Sequence, residues 1–92
     1  MVVLVSVWRL RLPEARSLKD KRMVIRSLKD RIRRLNVSVA ETGSQDQWGS
    51  AEISVALVAP HRAFADSVVS KLDSLIEGEP RVVIVGFDRF EA

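Results

Sequence analysis

Cysteine is absent from the sequence, which excludes disulfides, thiolate zinc sites and a cysteine nucleophile. Tyrosine is also absent, and there are only three phenylalanines, two tryptophans and one histidine. No Walker loop, GxGxxG, GxSxG or HExxH motif is present, so the sequence does not point to the enzyme classes that these motifs mark. A small domain without disulfides suits the cytosol.

Long apolar runs are missing as well. The run from Val2 to Val7 is too short to span a bilayer. No basic region precedes that run, as one does in a secretory signal. We therefore expect a cytoplasmic protein with no membrane partner.

The length of 92 residues suffices for one domain, which we expect to occupy residues 1–92. The net charge of +3 is distributed unevenly along the chain. Residues 1–36 hold 11 Lys and Arg against 3 Asp and Glu (+8), whereas residues 37–92 hold 4 against 9 (−5). A basic face beside an acidic one can bind nucleic acid or a complementary face on another copy.

Hydrophobic periodicity predicts six elements in the order strand, helix, strand, strand, helix, strand. The predicted strands are residues 2–12, 37–42, 50–59 and 81–90, and the predicted helices are residues 17–35 and 61–77. This order fits the ferredoxin-like split βαβ plan. Because both crossovers must be right-handed, we expect an α+β sandwich with an antiparallel sheet in the order 4-1-3-2 and both helices on one face.

The apolar positions assign residues to the two faces of this sheet. On the face below the helices we expect Val2, Leu4, Trp8, Leu10 and Leu12 of the first strand, and Ala51, Ile53, Val55 and Leu57 of the third. The second helix should bury Phe64, Val68, Leu72, Leu75 and Ile76. The open face should carry Val3, Val5, Val7, Val83, Val85 and Phe87. Covering these six side chains would stabilise by several kcal/mol, at roughly 25 cal/mol per Å², so a homo-oligomer or a ligand is the expected cover.

The first helix carries a basic stripe beside its apolar one. Its members recur at steps of three and four residues: Lys19, Arg22, Arg26, Lys29 and Arg33. Five aligned cations could contact successive phosphates, and we expect Arg16, Arg9 and Arg11 to extend the patch. The alternative, which the residues alone favour slightly, is a solvated face or one paired with an acidic face on another copy. Nothing in the stripe indicates base-specific readout.

The segment from Gly43 to Gly49 is the most distinctive local sequence, a polar loop that predicts a hairpin connection. The favoured interpretation is structural or a dimer interface: Trp48 folds back on its own sheet and Asp46 hydrogen-bonds the turn backbone. The alternative is that Trp48 stacks on a base or anchors a partner.

Two further patterns bear on function. The single-stranded RNA module with this fold stacks bases on paired aromatic residues of the central strands. This chain lacks such a pair, which leaves open a mode that follows the RNA backbone or recognises structured RNA.

His61, at a helix start, suits a surface or capping role better than that of a general base. Glu41, Asp46 and Glu52 near one hairpin end could suggest paired carboxylates or a hard-metal site, but both glutamates could equally be sheet-face residues paired with arginines.

Three motifs carry a family resemblance: Ala15 to Arg22 (ARSLKDKR), Asn36 to Glu41 (NVSVAE) and Gln45 to Trp48 (QDQW). In this order and spacing they resemble the YlxP-like family of small bacterial proteins, over nearly the whole chain. The resemblance implies a ferredoxin-like fold and, from the neighbourhood of ribosome-maturation genes, an RNA or ribosome context. It implies no catalytic residues and no cofactor.

The sequence therefore leads to three hypotheses. The first is a non-enzymatic, self-associating protein that binds structured RNA or a ribosomal particle. The second is a homo-oligomeric interaction module with no nucleic-acid role, which uses the open sheet face or the 43–49 loop. The third is an enzyme or small-molecule regulator built on Glu41 and Asp46.

Overall fold

The computed structural model describes all residues from Met1 to Ala92. Its elements are β1 (Val2–Arg11), α1 (Leu18–Arg33), β2 (Ser38–Gly43), β3 (Ser50–Ala59), α2 (Arg62–Glu77) and β4 (Val83–Glu91). The four strands form one antiparallel sheet in the order β2-β3-β1-β4. This is the predicted order, read from the other edge, and it confirms the ferredoxin-like fold.

The central strand β1 alternates between the two faces of the sheet, as its period of two predicted. The residues expected below the helices are all buried: Val2, Leu4, Trp8, Leu10 and Leu12. Ser6 is the one polar residue among them, and its hydroxyl accepts a hydrogen bond from Arg89 Nε at 2.8 Å. Arg89 also binds both carboxylate oxygens of Asp73, so β4 is tied to α2 across the buried serine.

Helix α1 begins directly after Ser17, which is its N-cap. The Ser17 hydroxyl accepts the Asp20 N–H at 3.1 Å, and the Asp20 carboxylate accepts the Arg16 N–H at 3.0 Å. This reciprocal pair satisfies donors at the positive end of the helix. Ile25, Leu28 and Ile32 recur at helical spacing on the apolar stripe of α1 and are buried.

Helix α2 differs from the prediction at two of its expected core residues, of which Leu75 is only half-buried. His61 is its N-cap, and Nδ1 accepts the Phe64 N–H at 3.3 Å, which agrees with the capping role. Phe64 was predicted to be buried but is 47% exposed. Ala65, Val68, Leu72 and Ile76 form the buried stripe instead, so Phe64 lies at its rim, edge-on to the His61 ring with centroids 6.4 Å apart.

Strand β4 contains a bulge, which makes the prediction for the open face wrong at Phe87. Leu10 pairs with Ile84 and Arg9 with Gly86, so Val85 is the extra residue. Beyond it the alternation is inverted. Phe87 was predicted on the open face but lies on the helix face opposite Trp8, with ring centroids 5.3 Å apart.

Phe90 takes the open-face position that Phe87 was expected to hold, because it pairs with Val5. Neither helix covers this face, on which Val3, Val5 and Val7 are half-buried and Val58 is 64% exposed. No helix in the structure has the length and apolar character needed to cross a membrane.

Candidate nucleic-acid interface on the first helix

The five basic side chains of the predicted stripe project from the outer side of α1. Lys19, Arg22, Arg26 and Arg33 are exposed and Lys29 is half-buried. They line two shallow grooves, and Arg22 and Arg26 contribute to both. The groove toward the edge strand β2 has a volume of about 320 Å³ and is lined by Arg22, Ile25, Arg26, Lys29, Asp30, Arg33 and Glu41. The other, about 630 Å³, is lined by Lys19, Arg22, Met23, Arg26, Ser27 and Asp30.

Most of these cations have no partner within the chain. Arg33 pairs with Asp30 at 3.1 Å. Lys19, Arg22, Arg26 and Lys29 have no carboxylate oxygen within 4.0 Å. An anion can therefore approach these four side chains without breaking an internal ion pair.

The structure separates two of the predicted extensions from the stripe. Arg9 and Arg11 were expected to extend the patch, but they alternate with buried residues of β1 and lie on the open face, across the sheet from α1. Arg9 pairs there with Asp88 at 2.6 Å. Arg16 is exposed one residue before the Ser17 cap, at the end of α1 where the stripe begins.

Lys21 lies between the exposed residues of the stripe but points inward and is 1% exposed. Its Nζ donates to the backbone carbonyls of Ser44 and of Gln47, the latter at 2.7 Å. Glu41 Oε2 lies 2.9 Å from Nζ, an ion pair rather than an aligned hydrogen bond. One buried ammonium therefore joins the first turns of α1 to β2 and to the loop that follows it.

This role of Lys21 was missed in the sequence, although a signal was present. The apolar stripe of α1 makes a step of seven residues from Leu18 to Ile25, whereas its other steps are three or four. Lys21 falls in that gap, on the buried side of the helix. A lysine at such a position needs buried acceptors, and the polar 43–49 loop supplies two of them.

The loop is fastened by residues other than those predicted. Asp46 was expected to hydrogen-bond the turn, but its side chain makes no hydrogen bond within the chain. Lys21 and Gln45 do so instead, Gln45 Nε2 donating to the Glu41 carbonyl at 2.9 Å. Trp48 is 50% exposed, so it does not fold back as a buried cap on the sheet.

The carboxylates proposed as a catalytic or metal site do not converge. Glu41 lies opposite Ile53 on the helix face, whereas Glu52 lies opposite Arg9 on the open face, so the sheet stands between them. Glu41 pairs with Lys21, and Glu52 accepts the Thr42 hydroxyl at 2.7 Å. No group of three or more His, Asp or Glu side chains is arranged to hold a metal ion.

Sequence comparisons identify a matching family and a bacterial relative. A family model described as "Protein of unknown function (DUF503)" matches residues 3–89. The chain is 30% identical over 70 residues to the Bacillus subtilis (strain 168) protein described as "Uncharacterized protein YlxP", across 75% of this chain and 76% of that one.

Among solved structures, the de novo designed protein Foldit4 superposes with a TM-score of 0.59 at 14% identity, covering 100% of this chain and 97% of that one. A second de novo design with a ferredoxin fold, solved by NMR, gives 0.50 at 18% identity, covering 99% and 84%. At such low identity these two likenesses show the fold alone.

Proposed function

This chain belongs to the family described as "Protein of unknown function (DUF503)", and we propose that it is a non-catalytic protein that binds structured RNA, free or in a ribosomal particle, through the basic face of α1. Such a partner places the protein in the cytoplasm. The family description assigns no activity, and the support for the proposal is the charged surface of α1.

One observation carries the proposal: four cations at helical spacing, Lys19, Arg22, Arg26 and Lys29, have no internal carboxylate partner. Over the span from Lys19 to Lys29, which holds these four cations, a helix rises about 15 Å. A row of that length can follow a phosphate backbone, which supplies negative charge at regular intervals.

The mode of binding differs from base stacking on the sheet. The central strands of this sheet are β1 and β3. Trp8, the aromatic residue of β1, is 2% exposed on the helix face, and β3 has no aromatic residue. RNA is therefore proposed to contact the helix through its backbone, and recognition follows the shape and charge of the RNA.

The proposal is tested by comparing two variants that lose the same net charge. Arg22→Ala/Arg26→Ala removes the two cations shared by both grooves, whereas Arg11→Ala/Lys71→Ala removes exposed cations from β1 and α2. Affinity for a fluorescein-labelled RNA hairpin is measured by anisotropy at low salt. We expect the first variant to bind about tenfold more weakly or worse, and the second to bind like the wild type. Equal losses would contradict a specific interface.

A second candidate function rests on the open sheet face. Its apolar members include Val3, Val5, Val7, Ala56, Val58, Val83 and Phe90, and no element of the chain covers them. We propose as the alternative that a second copy covers this face, which would make the chain a homo-oligomeric interaction module. The two functions use opposite sides of the molecule and are compatible.

A further inference from the structure

We propose that the RNA carries an unpaired base that stacks on Trp48 while the adjoining phosphates lie on Lys19 and Arg22. This inference rests on the proposed function and names its substrate class. It assigns the 43–49 loop to the same binding surface as α1.

The 43–49 loop is attached to the first turns of α1. Lys21 Nζ donates to the Gln47 carbonyl, one residue before Trp48. Lys21 itself lies between Lys19 and Arg22. The backbone that carries Trp48 is therefore held against the turn of α1 at which the basic stripe begins.

Hydrogen bonds hold the conformation of the 43–49 loop. Lys21 binds two of its carbonyls, Gln45 binds the Glu41 carbonyl, and the Gln47 N–H donates to the Ser44 carbonyl at 3.1 Å. Ser44 adopts a left-handed φ of 59°, which these bonds hold in place. These bonds reduce the conformational entropy that the loop loses when a ligand contacts it.

The exposed ring on this loop is the indole of Trp48. An indole that is half exposed on an ordered loop offers a flat apolar surface, on which any nucleobase can stack. Asp46, two residues away, has no cationic partner within 4.0 Å and disfavours a phosphate there. The charges thus place phosphate on the helix and base on the loop.

A base can stack on a side chain only when it is free of its own duplex. The ligand class is therefore RNA with an unpaired loop, bulge or end beside a backbone segment. Lys21 is a positioning residue in this account, because it contacts the loop and not the RNA.

The test uses three RNA probes: a hairpin with an unpaired loop, a blunt duplex with the stem sequence, and an oligouridylate. Tryptophan emission reports on Trp48, since Trp8 is buried and serves as the internal reference. We expect the hairpin and the oligouridylate, but not the duplex, to quench Trp48. Trp48→Leu should weaken hairpin binding by about 5- to 150-fold, the range that one stacked base contributes, and leave duplex binding unchanged.

Lys21→Met, with circular dichroism as the check of folding, should reduce quenching by the hairpin while the affinity for the duplex stays within about twofold. Hairpin and duplex binding of equal strength, with no quenching, would overturn this inference and leave the proposed function standing. Binding to none of the three probes would overturn both.

Discussion

At the scale of single residues, the buried Lys21 decides how the loop is placed. An ammonium group loses its hydration on burial and must find acceptors in the fold. Here three oxygens lie around it, from Glu41, Ser44 and Gln47. Two of the three are backbone carbonyls of the 43–49 loop, so the loop conformation is encoded partly in α1.

Replacing Lys21 by methionine should destabilise the fold by about 3 kcal/mol, since it leaves the half-buried Glu41 carboxylate and the Gln47 carbonyl without a donor. The Ser44 carbonyl keeps the Gln47 N–H as its remaining donor. Urea denaturation measures the change. Lys19→Met, an exposed neighbour on the same helix, is the control and should shift the unfolding free energy by less than about 0.5 kcal/mol. Similar effects of the two substitutions would contradict the anchoring role.

At the scale of elements, Glu79 joins three segments of the chain. Its side chain is buried just after α2, where it accepts hydrogen bonds from Arg81 and from Arg31 of α1. The hydrogen bond from the Arg81 side chain, helped by the Arg81 backbone N–H and by Arg31, lowers the pKa of Glu79 to about 2 against the opposing effect of burial. The carboxylate is thus stabilised in its charged form in the folded state.

This pKa has a consequence for stability against pH. A carboxyl whose folded pKa is depressed contributes stability above its ordinary pKa and loses that contribution as pH falls toward the folded value. We expect a contribution on the order of 1–3 kcal/mol that is complete near neutral pH and is lost between about pH 4.5 and pH 2. Glu79→Gln should flatten the profile of unfolding free energy in that window.

The measurement is urea unfolding at a series of pH values, with the exposed Glu77→Gln as the control. The control should keep the wild-type profile. A Glu79→Gln profile that parallels the wild type down to the lowest pH would show that this carboxylate does not contribute in the way its contacts indicate.

The sequence predicts the elements well because their signals are local. Period-two alternation, the Ser17 and His61 caps and the glycine-bounded loop all act over a few residues. The errors arise where a contact with a residue far away in the sequence determines which face a side chain occupies. The β4 bulge inverts the faces of Phe87 and Phe90, because the register with β1 and not the strand's own pattern sets them. Lys21 was missed for the same reason, since its partners lie 20 or more residues away.

At the scale of the whole molecule, two surfaces lie on opposite sides of the sheet. The helix side presents the basic stripe, and the open side presents apolar residues with the paired Arg9 and Asp88 at one end. Because the sheet separates them, self-association through one surface leaves the other free.

Under the second proposal, Val58→Lys should convert an oligomer into a monomer, because it places a charge in the apolar open face. Light scattering at high micromolar concentration measures the mass. Phe64→Lys, which adds the same charge to an exposed site on α2, should leave the mass unchanged. A wild-type protein that is strictly monomeric at that concentration would contradict this proposal, and RNA binding would be unaffected.

The most direct test of the central claim is the salt dependence of binding to the RNA hairpin. If the four unpaired cations contact phosphates, the logarithm of the binding constant should fall with the logarithm of salt concentration with a slope of about −3. Arg22→Ala/Arg26→Ala should make the slope shallower by about 1.5, and Arg11→Ala/Lys71→Ala should leave it unchanged. A flat wild-type response, or equal flattening in both variants, would contradict the assignment of the α1 stripe as the RNA-binding surface.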